Sequence, residues 1–141
     1  MKNNAVIKKS IKSYVKREGR LTKSQLYGLE NYWAKHGIEY DSKIINMEKI
    51  FKRYGPIVLD IGIGAGESTI NHAMSHPENN YLAVEVHRPG VGRLLNKIEN
   101  YALTNIKIIN RDVTNVLEEQ IPDRSLSQIF IFFPDPWPKK R

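Results

Sequence analysis

Three carboxylates, Asp60, Glu85 and Asp112, stand at or beside the ends of three successive apolar runs, Ile57-Val-Leu-Asp-Ile61, Tyr81-Leu-Ala-Val-Glu85 and Ile106-Lys-Ile-Ile109. If those runs are parallel strands, the acids lie along one edge of a sheet, which is where open α/β folds bind ligands. Behind the first run comes Gly62-Ile-Gly-Ala-Gly66. Gly62, Gly64 and Gly66 remove three β-carbons where the backbone must turn sharply and let a ligand come close. The residues from Glu67 to Met74 have helical character, so the turn opens a helix whose unpaired N–H groups face the ligand. A strand, a glycine turn and a helix form a nucleotide-cofactor signature. The glycines alone would also suit a tight loop in some α/β domain, and the placement of the acids favours the ligand.

The elements that must hold these residues can be read in order. Thr22 with Gln25 forms a capping box for a helix that carries Leu26, Leu29, Tyr32 and Trp33 on one face and stops at Gly37; those aromatics read as core, since amphipathic spacing accounts for them. Ile44 to Arg53 gives a second amphipathic helix, ended by Gly55-Pro56. After the glycine turn, Pro77 closes one helix, Tyr81 to Glu85 forms the second strand, and Pro89 opens a helix with Val91, Leu94, Leu95 and Ile98 as its stripe. Ile106 to Ile109 is the third strand, Val113 to Gln120 a short helix, and Gln128 to Phe133 the fourth strand, followed by Pro134-Asp-Pro-Trp-Pro-Lys-Lys-Arg141. Alternating strands and helices of these lengths predict a Rossmann-like, doubly wound parallel sheet. Such sheets usually have about six strands, so four predict a fold truncated after the fourth.

The 141 residues suit one domain, with 40% apolar and 26% charged residues and no apolar run of membrane-span length. Zero cysteines exclude disulfides and thiolate chemistry. A polar, basic N-terminus without an apolar stretch behind it does not read as a signal peptide, and a cytoplasmic protein is expected. Residues 1–24 hold eight lysines and arginines against Glu18 alone, which accounts for the whole net charge of +7. This basic arm, set before a domain over 25–141, fits either a polyanion such as RNA or a solvated terminus.

A dinucleotide fold would want G-x-G-x-x-G, whereas this turn has G-x-G-x-G with Asp60 inside the strand before it. That arrangement resembles motif I of class I S-adenosylmethionine-dependent methyltransferases. The wording elsewhere is narrower. Pro134-Asp135-Pro136-Trp137 followed by Lys139, Glu85-Val-His-Arg-Pro-Gly-Val-Gly92, and Lys12-Ser-Tyr-Val-Lys-Arg-Glu-Gly-Arg-Leu-Thr22 resemble bacterial tRNA (guanine-N7)-methyltransferases over essentially residues 12–141. The resemblance implies S-adenosylmethionine as cofactor and tRNA as partner. It implies that Asp60, Gly62, Gly64, Gly66, Glu85, Asp112 and Asp135 contact the cofactor region, with Glu85 on the ribose hydroxyls and Asp112 by the adenine amino group. It also makes Asp135 the catalytic acid and has Lys139 touch the tRNA.

Guanine N7 carries an in-plane lone pair, so orientation can supply most of the catalysis, and Asp135 is placed to steady the positive charge that the purine gains. Trp137 fits stacking on a base or packing. His87 reads as a loop-orienting hydrogen bonder, and His36, His72 and His76 lack a ligand constellation, so no metal is expected. Family members continue beyond Pro-Asp-Pro-Trp. The expectation is therefore a fragment, or a truncated or split gene product completed by a separate polypeptide. The competing readings are an RNA-binding remnant without chemistry and a nicotinamide-dinucleotide domain.

Overall fold

The computed structural model describes residues 20–131. Asp135, Trp137 and Lys139, and all but the last few residues of the basic arm, lie outside the described residues. The elements are α1 (Lys23–His36), α2 (Met47–Phe51), β1 (Ile57–Ile61), α3 (Glu67–Ser75), β2 (Asn80–Val84), α4 (Arg88–Asn100), β3 (Ile106–Ile109), α5 (Val113–Glu119) and β4 (Gln128–Ile131).

The strands form one parallel sheet in the order β3-β2-β1-β4. From β1 the chain steps outward through α3 and α4 to β3, then crosses back through α5 to lay β4 on the other side of β1. The direction therefore reverses between β1 and β4, the kind of switch point at which open α/β sheets bind ligands. Because side chains alternate along a strand, the sheet carries two cores. Val58, Tyr81, Ala83, Ile106 and Ile108 pack with Ile70, Ala73, Val91, Leu94, Leu95 and Ile98 on the α3 and α4 face, and α1 covers that layer with Leu29, Tyr32 and Trp33. Leu59, Leu82, Val84 and Ile109 pack with Ile45, Phe51 and Val116 on the α2 and α5 face. This is the doubly wound architecture expected from the chain's alternation of elements.

Helix α1 starts at the expected capping box, with Gln25 N donating to Thr22 Oγ1 at 3.1 Å and Thr22 N to Gln25 Oε1 at 2.9 Å. Its buried positions include Gln25 and Gly28, because α1 crosses α4 at close range. A β-carbon on Gly92 would lie 2.5 Å from the Gln25 carbonyl oxygen, and one on Gly28 would lie 2.7 Å from that of Gly92. After α1 the chain lies beside β3, where Ile38 N donates to Ile108 O at 2.9 Å and covers that edge of the sheet.

Some bounds differ from the sequence reading. The second helix spans Met47–Phe51 rather than Ile44 to Arg53, since Asn46 accepts from Lys49 N at 3.1 Å and starts the helix there, while Ile45 N is drawn to Gln120 O at 2.8 Å. Strand β2 begins at Asn80 and ends at Val84, with Glu85 just outside although its N–H still bonds Ile109 O. Strand β4 starts at Gln128 as expected, and Phe132 and Phe133 of the expected strand lie outside the described residues; Ile129 and Ile131 are half exposed, because no element among the described residues covers them.

Candidate cofactor site

The glycine turn is left-handed throughout its glycines: φ is 69° at Gly62, 60° at Gly64 and 88° at Gly66. A β-carbon resists this region, which is why the turn needs this residue type three times. Gly62 N donates to Val84 O at 3.1 Å and Gly66 N to Ile63 O at 2.9 Å, so the turn is tied to β2 and closed on itself. Gly66 then caps α3 without a side chain. A further glycine lets α4 approach, since a β-carbon on Gly90 would lie 3.2 Å from the Gly64 carbonyl oxygen.

Gly62, Glu85 and Asp112 line a single cavity of about 250 Å³ at the C-terminal edge of the strands. Glu85 Oε2 accepts from His87 N at 3.0 Å, and Asn110 Nδ2 donates to the Glu85 carbonyl at 2.7 Å, fixing this residue between β2 and β3. His87 takes part through its backbone; its ring is exposed just before α4. Asp112 caps α5, accepting from Thr114 N at 2.8 Å. Two anchored carboxylates at a pocket that Gly62 also lines can accept from a ligand's hydroxyls and amino groups, because a carboxylate has about four lone-pair positions.

Asp60 does not join them. It lies within β1 on the same face as Val58, so period-two alternation turns it toward α3 rather than to the open edge. It is 4% exposed and accepts from Thr69 Oγ1 at 2.9 Å. Burial raises its pKa, opposed by the Thr69 hydrogen bond and by His72. Asp60, Thr69, His72 and Phe130 line a second cavity of about 310 Å³. The His72 ring there lies 4.6 Å from that of Phe130 and 6.4 Å from that of Tyr81. Gly64 and Gly66 shape the turn without lining either cavity.

Arg111 is the residue that sequence reasoning passed over. It lines the Glu85–Asp112 cavity, and its guanidinium lies 3.7 Å from the centroid of the Tyr40 ring. Gln120 Oε1 and Glu119 Oε1 accept from it at 2.9 and 3.3 Å, and Tyr40 donates to Glu119 at 2.9 Å. Its place directly before Asp112 was a usable signal, whereas nothing local to Tyr40 announced the stacking. Among the described residues no three His, Asp or Glu side chains converge as metal ligands, and no helix is long and apolar enough to cross a membrane.

A family profile described as a putative methyltransferase matches residues 54–141. The tRNA (guanine-N(7)-)-methyltransferase of Hydrogenovibrio crunogenus is 43% identical over 134 residues, covering 95% of this chain and 56% of that protein. That of Buchnera aphidicola subsp. Acyrthosiphon pisum is 43% identical over 150 residues, covering 100% and 63%. That of Nitrosospira multiformis is 46% identical over 131 residues, covering 93% and 57%. The chain thus spans a little over half the length of these curated relatives. Among solved structures, a 30S ribosomal A1408 methyltransferase from an uncultured bacterium superposes with a TM-score of 0.53 at 19% identity, covering 69% of this chain and 46% of that one. An antibiotic-related methyltransferase gives 0.51 at 16%, covering 67% and 50%. At those identities the likeness speaks for the fold.

Proposed function

The chain belongs to the putative methyltransferase family, and from that premise we propose that it forms the cofactor-binding part of a cytoplasmic enzyme that methylates N7 of a guanosine in tRNA with S-adenosylmethionine. The observation that carries this reading is the meeting of Gly62, Glu85 and Asp112 at one cavity beside a glycine turn. The names of the relatives supply the substrate.

The residues fit the cofactor: a turn without β-carbons, a fixed carboxylate for the ribose hydroxyls at Glu85, and another for the adenine amino group at Asp112. When bound, S-adenosylmethionine supplies an electrophilic sulfonium methyl. Asp60 supports the turn from the opposite face, its carboxylate joined to α3 through Thr69. Guanine N7 attacks with a lone pair that it already carries, so no residue of the chain needs to remove a proton. What the protein contributes is alignment, which is worth several kcal/mol when the reacting atoms are held in line. Asp135, flanked by two prolines that restrict its backbone, is assigned to the positive charge that builds on the purine. Lys139 and the basic residues of 1–24 are assigned to phosphates of the tRNA.

Calorimetry of the chain with S-adenosylhomocysteine and with NAD tests the assignment. S-adenosylhomocysteine should bind and NAD should not. Glu85→Gln should weaken the former about 10-fold or more, since a hydrogen bond to a charged acceptor is worth about 1.5–3 kcal/mol. NAD binding without S-adenosylhomocysteine binding, or an affinity unmoved by Glu85→Gln, would overturn it.

A further inference from the structure

At the far end of β3 from the Glu85–Asp112 cavity lies a separate cavity of about 430 Å³, and Lys35, Lys52 and Lys107 all line it. They come from the last turn of α1, the residue after α2, and β3. Lys107 Nζ donates to the Lys35 carbonyl at 2.9 Å, where the end of a helix carries partial negative charge. That contact accounts for Lys107 alone. Lys52 holds the left-handed conformation that ends α2, at φ 56°, a position that glycine or asparagine occupies with less strain. It lines the same cavity.

One carboxylate, Glu99 on α4, lines the cavity, and both of its oxygens are engaged: Oε1 by His36 Nε2 at 2.9 Å and Oε2 by Lys35 Nζ at 3.4 Å. Burial lowers the pKa of His36, which keeps that ring neutral around pH 7. The lining residues therefore include three lysines against one carboxylate. Lys107 feels this directly: burial, and then the charges of Lys52 and Lys35, lower its pKa. A bound oxyanion would relieve that repulsion, and Thr104, which also lines the cavity, carries a hydroxyl able to donate.

We infer that this cavity is an anion site that takes a phosphate group, supplied by the RNA backbone at a distance from the methylated base. The RNA source rests on the function proposed above, and the phosphate chemistry does not. Strand β3 has four residues, about 13 Å, so one RNA molecule can span both ends of the sheet.

The test uses Lys52→Asn, which removes a charge at a backbone conformation that asparagine accepts, so folding is retained or improved. In the parent chain, millimolar inorganic phosphate should shift the Lys107 side-chain resonances in NMR spectra, and in Lys52→Asn the shift should be lost while the melting temperature holds. The slope of log RNA affinity against log salt should fall by about one unit in the variant, because one phosphate contact is gone. S-adenosylhomocysteine binding, read by calorimetry, should be the same in both chains; its absence from both would remove the methyltransferase reading and leave the phosphate result standing by itself. No response to phosphate in the parent chain overturns the site. A phosphate response with an unchanged RNA slope overturns the RNA source.

Discussion

Replacing Thr69 by valine keeps the shape of the side chain and removes the hydroxyl that donates to Asp60 at 2.9 Å. Thr69 is 1% exposed, so its hydroxyl is held within the fold beside Asp60. A hydrogen bond to a charged acceptor is worth about 1.5–3 kcal/mol, a neutral one about 0.5–1.5. Burial raises the pKa of Asp60, so an ionised Asp60 costs stability at neutral pH. That cost fades as the pH falls through the folded pKa toward the unfolded value near 3.9. Thr69 offsets part of the cost only while the carboxylate is ionised. The Thr69→Val variant should therefore lose about 2 kcal/mol at pH of about 7.5, a fall of roughly 6–8 °C in Tm for a domain of this size. At pH of about 4 the loss should shrink to about 1 kcal/mol or less, because a neutral pair replaces a charged one. Urea unfolding of both chains at the two pH values measures this. An equal loss at both would show that the hydroxyl is not serving an ionised carboxylate, and a loss under about 0.5 kcal/mol at neutral pH would refute the hydrogen bond's weight altogether.

Gly92→Ala places a β-carbon 2.5 Å from a backbone oxygen of Gln25, which cannot rotate away as a side chain would. Parting α1 from α4 should cost about 2–3 kcal/mol and roughly 6–10 °C in a thermal melt; an unchanged melt would mean that the helices are further apart. His36 has its pKa lowered by burial, more than Glu99 restores it, so its contribution is complete above the unfolded value near 6.5 and is lost as the pH falls below it. His36→Gln retains an amide for Glu99 but does not titrate. Stability should then vary less with pH between about 6.5 and 5, and an identical slope in both chains would clear His36 of the effect.

Most of the sheet could be read from residue order because its strands are short apolar runs closed by glycine, proline and acids, and parallel connection demands the helices between them. The turn was equally legible, since glycine at three alternate positions suits a backbone that takes positive φ at each of them. The place of Glu85 and Asp112 at one cavity was legible for the same reason: a residue just past a strand end must lie near the edge. Asp60 was harder, because its direction depends on which face of β1 it occupies, and the all-apolar neighbours Ile57, Val58, Leu59 and Ile61 mark no face as outward. The crossing at Gly28 and Gly92 joins helices far apart in the chain, and the stacking of Tyr40 on Arg111 joins segments just as distant. Such pairs exist only once the sheet has brought their elements together. The bounds of α2 turned on a side-chain cap at Asn46, which outweighed the apolar spacing of Ile44 and Ile45.

The strand order has a consequence in time. β1 meets β2 through Val58 and Tyr81, a short distance along the chain, but meets β4 through Val58 and Gln128, about three times as far. At equilibrium the longer closure costs only about 1 kcal/mol more, since the entropy grows with the logarithm of the loop. Kinetically it weighs more, because contacts between distant segments slow the search. Ser24 likewise waits for Asn96, 72 residues on. A chain leaving the ribosome with β1 to β3 already made carries its central strand with one edge bare until residues 128–131 follow, and during that interval the unpaired edge is open to other chains. Of the first three strands, the first made thus waits longest for its second neighbour.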